Sequence, residues 1–296
     1  MNFLPLGNLL QVPPFSAPLP QDKQDARRPI GVRGRLRSRR VGHLIGVFGC
    51  SVVFPLTAFA ELSNDSLLGP GLRLRPAYDG SGSRRAELVP VIRYLGQPLF
   101  ARSTQGVLEA GVRMELADGL HTGAQVAYEP GRLRSDAQFL KSHNVADIKR
   151  GESIGLQLEW DHMIGPAPIT LLARIRKNTE SDLGTQGDLR LSIGIFQRGG
   201  LSAGLFAEAI SADAKSTRAF YGIDPQQSGV TGLPAFQPAG GWLNASLGLL
   251  WSYDLNPNWI VVGSLESRRL LGDSVHSPLT QRSSAQYVSV GLAYRF

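Results

Sequence analysis

From Leu67 onward the chain alternates apolar and polar residues in segments of about ten, each closed by Gly, Pro, Asn or Asp. In 187–197, Leu189, Leu191, Ile193 and Ile195 share one face, and Arg190, Ser192 and Gly194 the other. In 242–254, Leu243, Ala245, Leu247, Leu249, Trp251 and Tyr253 oppose Asn244, Ser246, Gly248 and Ser252. The last segment sets Val288, Val290, Leu292, Tyr294 and Phe296 against Tyr287, Ser289, Gly291, Ala293 and Arg295. Strand side chains point to alternate faces, so a sustained period of two predicts strands. Twelve are expected, over 67–78, 86–95, 98–103, 106–116, 119–129, 152–163, 167–177, 187–197, 200–211, 242–254, 257–269 and 284–296.

The polar faces hold the charge, including Arg73, Arg75, Glu109, Arg113, Glu159, Arg174, Arg190, Glu208 and Arg295. A soluble sandwich alternates too, but with its charges in water. Connection length separates the two. Turns on one side are short (Gly96-Gln97, Ala117-Asp118, Gly165-Pro166, Arg198-Gly199, Leu255-Asn256), and connections on the other are long (79–85, 130–151, 178–186, 212–241, 270–283). Only 104–105 breaks the rule on the long side. This segregation, with an even strand number, predicts an all-β fold: a transmembrane antiparallel up-and-down β-barrel with short periplasmic turns and long extracellular loops. Trp160, Trp251 and Trp259 fall near the short turns, level with Tyr294 and Phe296, as a periplasmic aromatic girdle would. The apolar faces then meet outer-membrane lipid. The charged faces line a narrow lumen in which Arg and Glu pair across the interior.

Composition changes this picture at one end. The net charge of +7 suggests a polyanion partner, but eight of the 31 Lys and Arg lie in 1–60, leaving 23 basic against 22 acidic residues. A nucleic-acid partner is therefore not expected. Arg33, Arg35, Arg37, Arg39 and Arg40 precede the apolar run LIGVFGCSVVFPLTAFA, and Ala58-Phe59-Ala60 gives a small-x-small pattern. A signal peptide over about 33–60, cleaved after Ala60, is expected, with one barrel domain over 61–296. The Pro-rich first thirty residues fit no targeting class, which suggests translation from near Val32. Cys50, the sole cysteine, lies inside the signal, so no disulfide or thiolate metal site is expected in the exported chain.

Several stretches carry a family resemblance. FYGIDPQQSGVTGLPAFQPAGG (220–241), YDLNPNW (253–259), RLLGDSVHSP (269–278) and the terminal GLAYRF, with GPGLRLRPAYDGSGSRRAELVPVIRY (69–94), are similar to the MipA/OmpV family of outer-membrane proteins. The family's acidic tract after its Asp/Glu-Tyr motif is replaced here by Arg84-Arg85. The resemblance implies a scaffold in murein metabolism that joins a lytic murein transglycosylase to a penicillin-binding protein, with no catalytic residues. Porin-like and adhesive roles are also described in the family, leaving a narrow channel or a surface adhesin as alternatives. Phe296 matches the terminal aromatic read during outer-membrane insertion, so its deletion is expected to impair assembly.

Candidate chemistry is sparse, and neither catalysis nor a cofactor is expected. There is no GxSxG, HExxH, P-loop or EF-hand pattern. His121 and His162 fall near short turns, while His276 stands by Ser274, Ser277 and Asp273, too close in sequence to converge as a triad. Asp136, Asp147 and Glu152 share their loop with Lys141, Lys149 and Arg150, which suits a solvated charged loop better than a metal site. Loop 212–241 is expected to fold over or into the mouth and narrow it.

Overall fold

A computed structural model describes residues 65–296; the expected signal, the cleavage after Ala60 and Cys50 lie outside the described residues. The twelve strands are β1 (Leu67–Pro76), β2 (Arg84–Leu95), β3 (Leu99–Thr104), β4 (Val107–Ala117), β5 (Leu120–Glu129), β6 (Gly151–Ile164), β7 (Ala167–Asn178), β8 (Thr185–Arg198), β9 (Leu201–Ala212), β10 (Gly241–Asp254), β11 (Trp259–Leu270) and β12 (Ser284–Arg295). Each bound lies within two residues of the expected one. All neighbours are antiparallel, and β1 closes on β12 with Leu67 opposite Arg295 and Leu74 opposite Val288.

Closure gives both edges of the sheet a partner, as hydrocarbon requires of any spanning structure. Among the described residues no helix is long and apolar enough to cross a membrane. The strands cross instead, with Leu72, Leu156, Leu189, Leu247 and Val290 exposed on an outer apolar belt. The molecule is thus a membrane-spanning barrel of the outer-membrane type.

The long connections are ordered. One carries α1 (Gln138–Ser142), and another carries α2 (Ala214–Tyr221) and α3 (Pro225–Thr231). Asp213 and Asp224 cap the last two helices, accepting from the Ser216 and Gln227 backbone N–H groups at 2.7 Å each. Ala77 and Tyr78, Ala137 with Leu140 and Val145, Ile223, and Leu279 come from four different loops and pack into one small hydrophobic core over the mouth. The Tyr78 hydroxyl donates to the Leu279 carbonyl at 2.9 Å. Loop 212–241 covers the mouth as one part of this four-loop cap rather than alone.

The wall is uneven at one place. β2 pairs with β1 through ten residues but with β3 only at Arg93, Tyr94 and Leu95. The β3–β4 hairpin ends at Gln105-Gly106, both with positive φ (50° and 83°), a tight reversal matched to the strand twist. Arg84–Pro90 therefore extends past the hairpin with no strand partner on that edge.

Candidate functional site

Inward residues from the outer half down to Glu159, next to the girdle residue Trp160, form one connected set of ion pairs. Glu109 on β4 is fully buried and accepts from Arg174 Nη1 at 2.7 Å, Arg102 Nε at 2.9 Å and Arg176 Nη1 at 3.4 Å. Arg174 also reaches Asp188 at 2.8 Å and Glu208 at 3.4 Å, and Arg190 meets Glu208 at 3.4 Å. Arg102 donates to Glu159 at 2.7 Å and Gln157 at 2.6 Å, and Arg113 approaches Glu159 at 3.4 Å. Removing such charges from water costs several kcal/mol per ion, and multiple close opposite charges offset that cost. These distances place the groups across the lumen.

The hairpin tip ties this set to a second node. Gln105 Nε2 donates to Glu208 on β9 at 2.5 Å, while its Oε1 accepts from Arg268 on β11 at 3.2 Å. Arg73 on β1 donates to the Gln105 carbonyl. A turn flanked by β2 and β5 thus contacts strands on the far side, so the hairpin leans into the lumen. Arg268 further pairs with Glu266 at 2.8 Å and Asp79 at 3.1 Å, and Asp79 accepts from the Tyr287 hydroxyl. Burial of the Asp79 carboxyl acts to raise its pKa, but Arg268 and that hydroxyl outweigh it and hold it below the usual carboxylate range.

The expected lumenal charges divide between locations. Glu109, Arg113, Glu159, Arg174, Arg190 and Glu208 belong to the first set. Arg75 lies nearer the mouth, donating to Glu87 at 2.6 Å. Arg295 sits at the periplasmic rim, bonded to Asp254 at 2.6 Å and Asp65 at 3.0 Å. Arg102, Asp188, Gln105 and Asp79 were not among the expected residues. Asp188 shares the parity of Arg190, which is the signal that could have found it.

The β1, β2, β11 and β12 side of the periplasmic half is different. Leu67, Ile260 and Ala293 are buried there with Val91 and Val262 packed against them. Beside this cluster, and beneath Arg73, Arg190 and Phe206, lies a cavity of about 410 Å³. On the outer face of this half, Trp259 meets Tyr294 edge to face at 5.4 Å and Trp160 stacks on His162 at 5.0 Å. Trp251 and Phe296 are half-exposed and exposed at the same end.

The remaining candidates do not form a reactive group. Ser274 Oγ lies 2.6 Å from the Leu271 carbonyl and 3.0 Å from that of Leu243, and Asp273 accepts from the Ala239 N–H. Asp136 pairs with Arg85 at 2.7 Å, and Asp147 accepts from the Arg134 N–H. Among the described residues no three His, Cys, Asp or Glu side chains gather as a metal site.

Residues 68–296 match the family described as MltA-interacting protein MipA. A stretch of 77 residues is 30% identical to the MltA-interacting proteins of Escherichia coli K12 and Shigella flexneri, covering 26% of this chain. The chain spans 31% of the length of those curated relatives. Among solved structures, an outer membrane channel from Pseudomonas putida F1 aligns over 82% of this chain and 100% of its own, at 12% identity and a TM-score of 0.46. The NanC porin aligns over 78% and 100%, at 10% identity and a TM-score of 0.44. With its family match running from β1 to the end of β12, the chain belongs to the MltA-interacting protein MipA family.

Proposed function

We propose that this barrel is a scaffold of murein metabolism, holding a lytic murein transglycosylase and, through it, a penicillin-binding protein, and that it performs no chemistry of its own. The observation that carries this reading is the combination of a crossed, capped outer lumen with the name of the E. coli relative, MltA-interacting protein. A barrel blocked in this way has its periplasmic surface left for partners. That surface is five turns and the rim around the Arg295–Asp254 pair, so several turns must combine to approach ~800 Å² per partner.

Crosslinking in intact envelopes followed by capture of the full chain tests it. Enrichment of a murein hydrolase, lost when the turns around 117–119, 165–166 and 255–258 are replaced together, is the expected result. No hydrolase, or one retained after those replacements, overturns it.

A narrow channel is the second reading, favoured by the periplasmic cavity. Planar-bilayer recording separates the two: the scaffold reading expects no stable conductance. Deleting 222–238 from the cap is expected to leave the current near baseline, because the Glu109 and Glu208 pairs lie beneath it.

A further inference from the structure

We propose that the outward face of β10, β11, β12, β1 and β2 holds a phosphorylated glycolipid of the outer leaflet, the lipid A part of lipopolysaccharide. Arg84 and Arg269 would take its phosphates, with Trp242 beside them. The proposal goes beyond the scaffold reading and does not depend on it.

The first observation is height. The five strands are neighbours in the closed wall, in the order β10-β11-β12-β1-β2. On β11 the outward Trp259 and Arg269 stand ten residues apart, and on β2 so do the outward Tyr94 and Arg84. Ten strand residues rise ~34 Å, and a strand tilt of roughly 40° turns that into about 25 Å across the bilayer, the height of the apolar band of such a barrel. With Trp259 and Tyr94 at the periplasmic interface, both arginines stand at the outer head-group level. The outward faces change character there. Leu265 on β11 gives way to Ser267, and Val288 on β12 to Gln286, whose amide donates to Ser267 Oγ at 3.2 Å. Trp242, 58% exposed, tops the adjacent β10, and an indole favours this interface.

The second observation is charge. Arg84 and Arg269 are exposed, and among the described residues neither forms an ion pair or a side-chain hydrogen bond. The acids on this side are engaged elsewhere. Arg75 and Arg85 hold Glu87 and Asp136 at 2.6 and 2.7 Å, Arg268 holds Asp79, and Asp273 accepts from the Ala239 N–H at 2.8 Å. The opposite arc is mixed, with Glu152, Glu180 and Asp182 exposed among Lys149, Arg150 and Lys177. The third observation is spacing. Three strand intervals separate β11 from β2, roughly 14 Å, so two long side chains can converge on one head group with two separated phosphates. The planar guanidinium matches phosphate oxygens in pairs. Below Arg84, the edge of β2 borders a gap in the wall above the β3–β4 hairpin. Leu88 (84% exposed) and Pro90 face hydrocarbon there and leave room for an acyl chain.

The test uses the purified full chain in a maltoside detergent, with bis-phosphorylated lipid A as the probe and native mass spectrometry to read its adduct. The adduct is expected at concentrations about tenfold below those needed for monophosphorylated lipid A, cardiolipin or phosphatidylglycerol. Arg84→Gln combined with Arg269→Gln should weaken it at least about tenfold, and Trp242→Ala about threefold. Lys177→Gln, from the opposite arc, should leave it unchanged. All of these variants should keep the unheated, compact electrophoretic mobility of the folded barrel, since neither arginine has a protein partner to lose. If the double variant does not fold, Trp242→Ala and the lipid panel still decide. Absence of an adduct, equal retention of cardiolipin, an unchanged adduct on the folded double variant or on Trp242→Ala, or an equal loss with Lys177→Gln would each overturn the proposal.

Discussion

The outer and periplasmic halves of the lumen are built by the same twelve strands and the same alternation, yet their inward side chains obey different physics. In the outer half, Glu109 and Arg174 each sit among three opposite charges, and the hairpin tip joins them to Arg268. Such a cluster is directional: each charge is tolerable only while its partners hold position. On the β1, β2, β11 and β12 side of the periplasmic half, Leu67, Val91, Ile260, Val262 and Ala293 pack without directional demands, while Glu159 and Asp161 keep polar partners on the side opposite. The cavity borders this apolar surface on one side, where it loses only dispersion contacts, and Glu159, Asp161 and Thr170 on the other. The contrast teaches that closing a barrel and filling it are separate problems, solved here by ion pairs at one end and partial packing at the other.

The largest effect should come from breaking the charged half. Glu109→Gln leaves Arg102, Arg174 and Arg176 short of a common acceptor and should destabilise the barrel by about 3–5 kcal/mol. Val262→Ala, a truncation in the other half, should cost only about 1 kcal/mol because the site already borders space. Urea-unfolding midpoints of the two variants in detergent check the pair. Similar losses would erase the distinction between the halves.

The cap above the charged half should respond separately from the wall. Leu140 is buried among side chains of the other three loops, so Leu140→Ala should weaken the cap by about 2–3 kcal/mol. Faster hydrogen exchange at Tyr78 and Ile223, with an unchanged unfolding midpoint for the strands, is the expected signature. Alkali offers a milder version of the same experiment. Burial pushes the Tyr78 hydroxyl up to about 12, against the weaker opposing pull of Arg132. The folded cap thus retains a proton that the unfolded loops release near 10. Its contribution is intact below about pH 10 and is lost as pH rises through about 12. Protease cleavage within 213–240 should accelerate across that window and stay flat between about pH 6 and 9.

Which of these features could be read from residues alone follows from their range. The strands emerge because a period of two, sustained over ten residues, averages out individual exceptions. Arg102 was obscured because Leu99 and Phe100 are adjacent and both apolar, and Phe100 faces inward and is buried. The apolar periplasmic lumen was hidden for a related reason. In Trp259-Ile260-Val261-Val262 both faces are apolar, so alternation disappears on the side of the lumen that carries no charge. Loss of alternation beside short turns was the available signal. A covering role for loop 212–241 was expected from its length, but the union of four loops was beyond reach, since loops have no period and Tyr78 meets a carbonyl 201 residues away. The gap left two marks in plain view, a proline inside the second strand and a two-residue turn on the long-loop side. Each was visible separately; their shared meaning required knowing that one strand ends beside the other.

That shared meaning can be tested where the two halves meet, with the smallest expected effect. Valine is a better strand former than proline, so Pro90→Val should stabilise β2 if a strand partner lay on that side. At a gap facing hydrocarbon the outcome has the opposite sign. The new N–H would point where Ile92 points, toward the hairpin, but beyond its tip. It would then be an unsatisfied donor and should cost about 1 kcal/mol or somewhat more. Leu72→Val, on β1 and paired on both sides, controls for side-chain shape. A urea midpoint lowered by Pro90→Val and not by the control sets the gap in the wall itself. A raised midpoint would mean that β2 has found a partner there, and the two halves of the lumen would be sealed from the bilayer alike.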